Sequence, residues 1–149
     1  MSGTPYYFQV IAEFIARHYP NAKKIVEIGV GRTPFTALVL KKLIKNLDMI
    51  IVDKDQVVMD EIRGFGLRAF VDDIWSPRLE LYRDADLIYS IRPPFELFSK
   101  IVEIGESVGS DVLIIPLAED AYLADTDKRL ERVELCPGIN CLYRRISRK

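Results

Sequence analysis

The sequence predicts an α/β fold: a doubly wound, mostly parallel sheet that ends in a C-terminal antiparallel hairpin. Three observations carry that prediction. From residue 24 to residue 116, short apolar runs alternate with stretches of helical periodicity, the pattern of a parallel sheet covered on both faces. The run from Lys24 to Pro34, Lys-Ile-Val-Glu-Ile-Gly-Val-Gly-Arg-Thr-Pro, reads as a buried strand entering a glycine turn and then a helix. Residues 131–146 read as a β-hairpin around Pro137-Gly138.

Taken in order, Tyr6, Tyr7, Val10, Ile11, Phe14 and Ile15 fall at helical spacing and predict an amphipathic helix over residues 5–19. His18, the only histidine, sits in its last turn, where it is read as a partner for the helix C-terminus. Strand 24–29 follows, then a helix over 34–46 with Phe35, Leu38, Val39 and Leu43 on one side. Thr33 is expected as its N-cap and Pro34 as its first residue, where the missing N–H costs nothing. Strand 48–53, helix 55–63 stopped by Gly64, strand 67–71, strand 85–91, helix 94–107 and strand 111–116 continue the alternation. Residues 117–130 are acidic and carry at most one short helix. One domain over residues 1–149 is expected, with the N-terminal helix within 1–20, the parallel core in 24–116 and the hairpin in 131–146.

A chain of 149 residues matches the prior of roughly 150 for one domain. The net charge of -1 lacks the basic excess that drives non-specific nucleic-acid binding, so nucleic acid is not indicated as a partner. Arg144, Arg145, Arg148 and Lys149 gather at the C-terminus and are read as a solvated strand end. No apolar run approaches the ~18 residues of a membrane span, and Met1–Pro5 does not start a signal peptide, so a cytoplasmic, non-membrane protein is expected. Cys136 and Cys141 flank Pro137–Asn140 and could face each other across the hairpin, where a disulfide is geometrically possible, but two buried thiols are the expected state in a reducing cytosol. Two cysteines and one distant histidine make a poor zinc site, and no metal is expected.

The segment Glu27-Ile28-Gly29-Val30-Gly31 resembles the first motif of S-adenosylmethionine-dependent methyltransferases, Glu/Asp-x-Gly-x-Gly. The third glycine often found in that family is Thr33 here. The resemblance implies strand order 3-2-1-4-5-7-6, with the cofactor's methionine end over the glycine turn beside Glu27, Gly29 and Gly31. Asp53 ends the second strand where such folds place an acid on the ribose hydroxyls; the alternative is that Asp53 or Asp55 caps the next helix, and Asp55 is the better capping candidate. In Asp72-Asp73-Ile74-Trp75 the resemblance makes Asp73 the partner of the adenine amino group, with Ile74 and Trp75 as the wall. Against this stands a plain loop with two turn-forming acids and an anchoring Trp.

The fourth strand leads into Ser90-Ile91-Arg92-Pro93-Pro94-Phe95, where this class of enzyme brings the acceptor close to the sulfonium. Enzymes that methylate amino nitrogens often have Asn/Asp/Ser-Pro-Pro-Tyr/Phe there. Arg92 cannot accept hydrogen bonds and repels a cationic nucleophile, so an amino-directed reaction is not supported. Ser90 and Arg92 remain candidate substrate-side residues; Arg92 suits a phosphate or carboxylate, or it pairs with Glu27 or Glu96. NAD is disfavoured because the last position of Gly-x-Gly-x-x-Gly is Pro34.

Over its whole length the chain is similar to a family of small uncharacterised archaeal proteins with a trimmed methyltransferase-like domain. Two functions follow: an S-adenosylmethionine-binding methyltransferase of unknown substrate, or a non-catalytic Rossmann-like module that binds a protein partner or a second copy. An open pocket beside Arg92 favours the first, a filled one the second.

Overall fold

The computed structural model describes residues 4–30, 33–117, 127–136 and 139–146. Helix α1 (Thr4–His18) leads into strand β1 (Lys24–Ile28), followed by α2 (Phe35–Leu43), β2 (Asp48–Asp53), α3 (Gln56–Arg63) and β3 (Arg68–Val71). Strand β4 (Leu87–Ile91), helix α4 (Phe98–Val108), β5 (Asp111–Ile115), β6 (Glu131–Cys136) and β7 (Ile139–Arg144) complete the chain. The seven strands form one sheet in the order 3-2-1-4-5-7-6. The β1–β2, β1–β4, β2–β3 and β4–β5 pairs are parallel, whereas β7 runs antiparallel to both β5 and β6.

Successive strand side chains point to opposite faces, and the core divides accordingly. Ile25, Met49, Ile51, Tyr89, Leu113 and Ile115 pack on one face with Ile11 and Ile15 of α1, Leu40 of α2 and Met59 of α3. Val26, Ile50, Val52, Ile88, Val112 and Ile114 pack on the other with Phe98, Ile101 and Val102 of α4 and with Tyr82. Helix α4 lies so close to β5 that a Cβ at Gly105 would stand 2.3 Å from Val112 Cγ2. Here a glycine inside a helix trades helix propensity for close contact with the sheet.

Several boundaries differ from the expected ones for local reasons. Helix α2 stops at Leu43 because Ile44 and Leu47 turn inward to bury, and Asn46 takes the left-handed turn between them (φ 61°). Its N-cap is Pro34, whose ring carries no atom to accept from the first-turn N–H groups, so the helix has no side-chain cap and Thr33 stands one position too early to supply one. The segment expected as the start of α4 forms a 3₁₀ turn at Phe95–Leu97, because Pro93-Pro94 hold the backbone extended just before it. Another 3₁₀ turn, Leu79–Leu81, precedes β4. Asp55 caps α3 as expected, accepting from Val57 and Val58 N–H. In the hairpin a register shift between Glu134 and Cys136 sets Cys141 opposite Val133 and Cys136 opposite Ile139, so the two cysteines do not face each other. Cys141 is a buried free thiol, pushed up to about 12 by burial. Residues 118–126, most of the acidic stretch, lie outside the described residues, as does Pro137-Gly138.

The starts of the parallel strands are tied down by internal donors. Asp86 Oδ2 accepts from the N–H groups of Lys23 and Lys24, which lead into β1. Asp111, opening β5, accepts from Tyr19 O–H through Oδ2 at 2.6 Å and from Ile146 N–H through Oδ1 at 2.8 Å. Tyr143 of β7 joins the same cluster through its hydroxyl contact with Tyr19. Arg68 donates to both carboxylate oxygens of Asp48 at 2.7 Å.

Candidate functional site

Strand order reverses direction at β1, whose successor β2 lies on one side and β4 on the other, and at such a point the chain leaves a crevice above the carboxyl ends. Two adjoining cavities fill that crevice here, about 470 Å³ on the β2–β3 side and about 510 Å³ on the β4 side. They meet at Ile28 and Gly29, which line both. Gly29 has φ 74°, and a Cβ built there would find no heavy atom within 4 Å, so the glycine keeps the junction open where another residue would be strained. Gly31 and Arg32 lie outside the described residues.

On the β2–β3 side Asp53 ends its strand half-buried at the cavity wall. Its Oδ1 accepts from Asp55 N–H at 3.1 Å and its Oδ2 accepts weakly from Val30 N–H at 3.4 Å, leaving each oxygen with acceptor capacity. Asp55, not Asp53, is the helix cap. The neighbouring acids Asp72 and Asp73 part ways. Asp72 is buried and accepts from Tyr82 O–H at 2.6 Å and from Arg78 N–H at 3.1 Å, so it holds its own loop together. Asp73 is exposed, and the one described bond of its side chain is from Trp75 N–H to Oδ1 at 3.0 Å. Ile74 lies buried behind it, while Trp75 is 58% exposed at the cavity rim with Lys100 Nζ 5.6 Å from its ring. The indole therefore does not anchor the loop in the core.

On the β4 side Glu27 is almost wholly buried, and Tyr89, its register partner on β4, donates its hydroxyl to Oε1 at 2.7 Å. Burial pushes the Glu27 carboxyl up to about 8, against the smaller opposing effect of that bond. The side chain thus carries its proton at neutral pH. Burial, and then the neighbouring Glu27, push the Tyr89 phenol well above its ordinary range. Ser90 is also buried and donates to the Ile28 carbonyl at 2.7 Å, so its one proton is committed to the strand while its oxygen faces the cavity. Arg92 follows β4 in the left-handed region (φ 56°), a conformation that costs a non-glycine residue about 1–3 kcal/mol. Its N–H is tied to the Ile115 carbonyl at 2.6 Å and its guanidinium lies 4.4 Å from the centroid of the Tyr7 ring. Contrary to one expectation, Arg92 pairs with neither Glu27 nor Glu96 among the described ion pairs; α1 offers it a ring face instead. Phe8 and Phe35, stacked at 5.8 Å, wall the same cavity.

The structure thus brings Glu27, Gly29, Ser90 and Arg92 around one cavity and Gly29, Asp53 and Asp73 around the other. His18 lines neither; its Nδ1 donates to the Phe14 carbonyl one turn back. The residues that sequence reasoning missed are Tyr89, Tyr7, Phe8 and Phe35. A signal for Tyr89 did exist: an acid within the apolar strand Lys24–Ile28 needs a donor on a neighbouring strand. Nothing local marks the other three: Tyr7 and Phe8 reach the cavity from α1, and Phe35 from the first residue of α2.

A parallel sheet ending in an antiparallel pair, with a glycine-opened crevice at the reversal, defines a methyltransferase-like Rossmann domain. Solved structures agree. The chain superposes on a human methyltransferase 10 domain containing protein with a TM-score of 0.66 at 9% identity, covering 94% of this chain and 82% of that one. It matches the plantazolicin methyltransferase BpumL, in complex with SAH, with a TM-score of 0.61 at 19% identity over 83% of this chain and 51% of that one. At these identities the likeness is one of fold. Within that class the chain belongs to the uncharacterised protein family UPF0146, whose model matches residues 8–135. A UPF0146 protein of Archaeoglobus fulgidus is 43% identical over 110 residues, 74% of this chain and 78% of that protein.

Proposed function

We propose that this protein binds S-adenosylmethionine across the two cavities and methylates a small acceptor held on the β4 side. The observation that carries the reading is the continuity of the two cavities over Gly29, with an undersaturated carboxylate, Asp53, on one side and room beside Arg92 on the other. Asp53 would accept the ribose hydroxyls. Asp73 would accept from the adenine amino group between Ile74 and Trp75, and Glu27, Gly29 and Gly31 would surround the methionine end. When bound, the cofactor supplies an electrophilic methyl group.

The chain's own residues orient and desolvate more than they move protons. Glu27 keeps its proton at neutral pH, and the Ser90 proton is spent on Ile28, so neither accepts a proton from the acceptor. Alignment of an already nucleophilic acceptor supplies the acceleration. The open cavity beside Arg92 supports this reading over that of a non-catalytic module, for which the space would be filled.

Calorimetric titration with S-adenosylmethionine and S-adenosylhomocysteine, with NAD as control and Trp75 fluorescence in parallel, tests the reading. Saturable binding of the first two without NAD binding is the expected result. No heat and an unchanged indole signal would overturn it.

A further inference from the structure

The β4-side cavity contains a positive charge, Arg92, that forms no ion pair with a carboxylate among the described residues. Of its described lining residues only Glu27 and Arg92 are ionisable, and Glu27 lies buried at the back while Arg92 stands exposed at the mouth. The guanidinium is not there by default. Its backbone is held in a conformation that glycine or asparagine would adopt more readily, and its guanidinium carbon lies 4.4 Å from the centroid of the Tyr7 ring. A strained residue whose guanidinium has a ring face but no carboxylate partner among the described residues fits the recognition of a planar oxyanion. Behind it the walls are apolar: Phe8, Phe35, Pro34 and Ile91.

We infer that Arg92 receives the carboxylate or phosphate of a small planar acid whose apolar body lies against Phe8 and Phe35. The inference rests on the proposed cofactor reading and names the acceptor class for the same site. Size agrees: at water's ~30 Å³ per non-hydrogen atom, about 510 Å³ holds roughly 17 atoms, about half of which the methionine end of the cofactor would take. The remainder suits a single-ring acid. The neutral state of Glu27 at pH 7 leaves Arg92 as the sole net charge among the described lining residues, so the cavity selects anions.

The test uses the full chain with benzoate, phenyl phosphate and uncharged benzamide as probes, by ligand-detected NMR, with and without saturating S-adenosylhomocysteine. Arg92→Asn removes the cation while tolerating the left-handed backbone, so folding is preserved. Arg92→Lys keeps the charge and loses the planar fork. The expected result is that one or both anions bind about tenfold more tightly than benzamide and that Arg92→Asn erases this preference, with Arg92→Lys intermediate. S-adenosylhomocysteine affinity should stay within about twofold throughout. Comparing benzoate with phenyl phosphate distinguishes carboxylate from phosphate. Equal binding of benzoate, phenyl phosphate and benzamide, or no binding of any, would overturn the inference. So would an Arg92→Asn protein that loses S-adenosylhomocysteine but keeps methylthioadenosine, which lacks the amino-acid end; the guanidinium would then serve the cofactor's own carboxylate. Should the wild type bind no cofactor yet bind the anions through Arg92, the cofactor reading fails and the anion site stands.

Discussion

The two edges of the parallel sheet hold carboxyl groups of similar type and treat them in opposite ways. At the edge where the strands begin, Asp86, Asp111 and Asp48 are occupied by donors from the chain itself: two backbone N–H groups, a tyrosine hydroxyl with a backbone N–H, and one nitrogen of Arg68. At the edge where the strands end, Asp53 accepts one ordinary and one long bond, Asp73 accepts one, and Glu27 is buried with a single donor. One edge has its hydrogen bonding completed by the fold; the other, apart from the internally satisfied Asp72, is left with capacity. The same residue type therefore reads as stability at one end of a strand and as a binding opportunity at the other, and the donors decide which.

The largest effect that would sharpen this contrast is at Glu27. The folded chain keeps that proton up to about pH 8, whereas an exposed glutamate releases it near 4.5, so within this window the fold binds more protons than the unfolded chain. Stability should accordingly fall as pH rises from about 5 to 8, by on the order of 4 kcal/mol in total, and level off above that. Glu27→Gln should flatten this dependence; urea unfolding at several pH values checks it, and an unchanged slope in the variant would break the assignment.

Next comes Asp111→Ala, which strands the Tyr19 and Ile146 donors together and should cost about 3 kcal/mol of stability while leaving S-adenosylhomocysteine binding alone. Asp53→Ala should do the reverse, weakening S-adenosylhomocysteine by about 100-fold, or ~3 kcal/mol, with an unfolding midpoint close to wild type. If both substitutions act on stability alone, the two edges do not differ in kind. Smallest is Asp73→Ala, expected to lower that affinity about fivefold, ~1 kcal/mol, and to diminish the Trp75 fluorescence response.

Much of this architecture was legible in the sequence because its signals are local. Strand–helix alternation, the glycine turn and the Asp55 cap each depend on a few neighbouring residues, whereas the strand order was implied by the family resemblance of the glycine motif, and the sheet has that order. Asp53 and Asp73 were legible as positions above strand ends. What stayed hidden depends on distant partners. The hairpin register turns on a bulge at Glu134–Cys136, which a period-two pattern does not encode, and so the sequence left open whether the cysteines face each other. The Arg92 contact with Tyr7 joins the end of β4 to the N-terminal helix, far apart in the chain, and its left-handed backbone has no signature in Ser-Ile-Arg-Pro-Pro. The protonation of Glu27 follows from burial depth, which Val-Glu-Ile suggests and only the packed sheet sets.

Gly29 touches both cavities and has no side chain to divide them. Coupling between the two halves of the crevice therefore rests on a hydrogen atom. Gly29→Asn, which accepts the left-handed turn, would set a partition between two otherwise intact chambers. Occupancy of each could then be counted separately, and the difference from wild type would report the free energy with which one ligand senses the other.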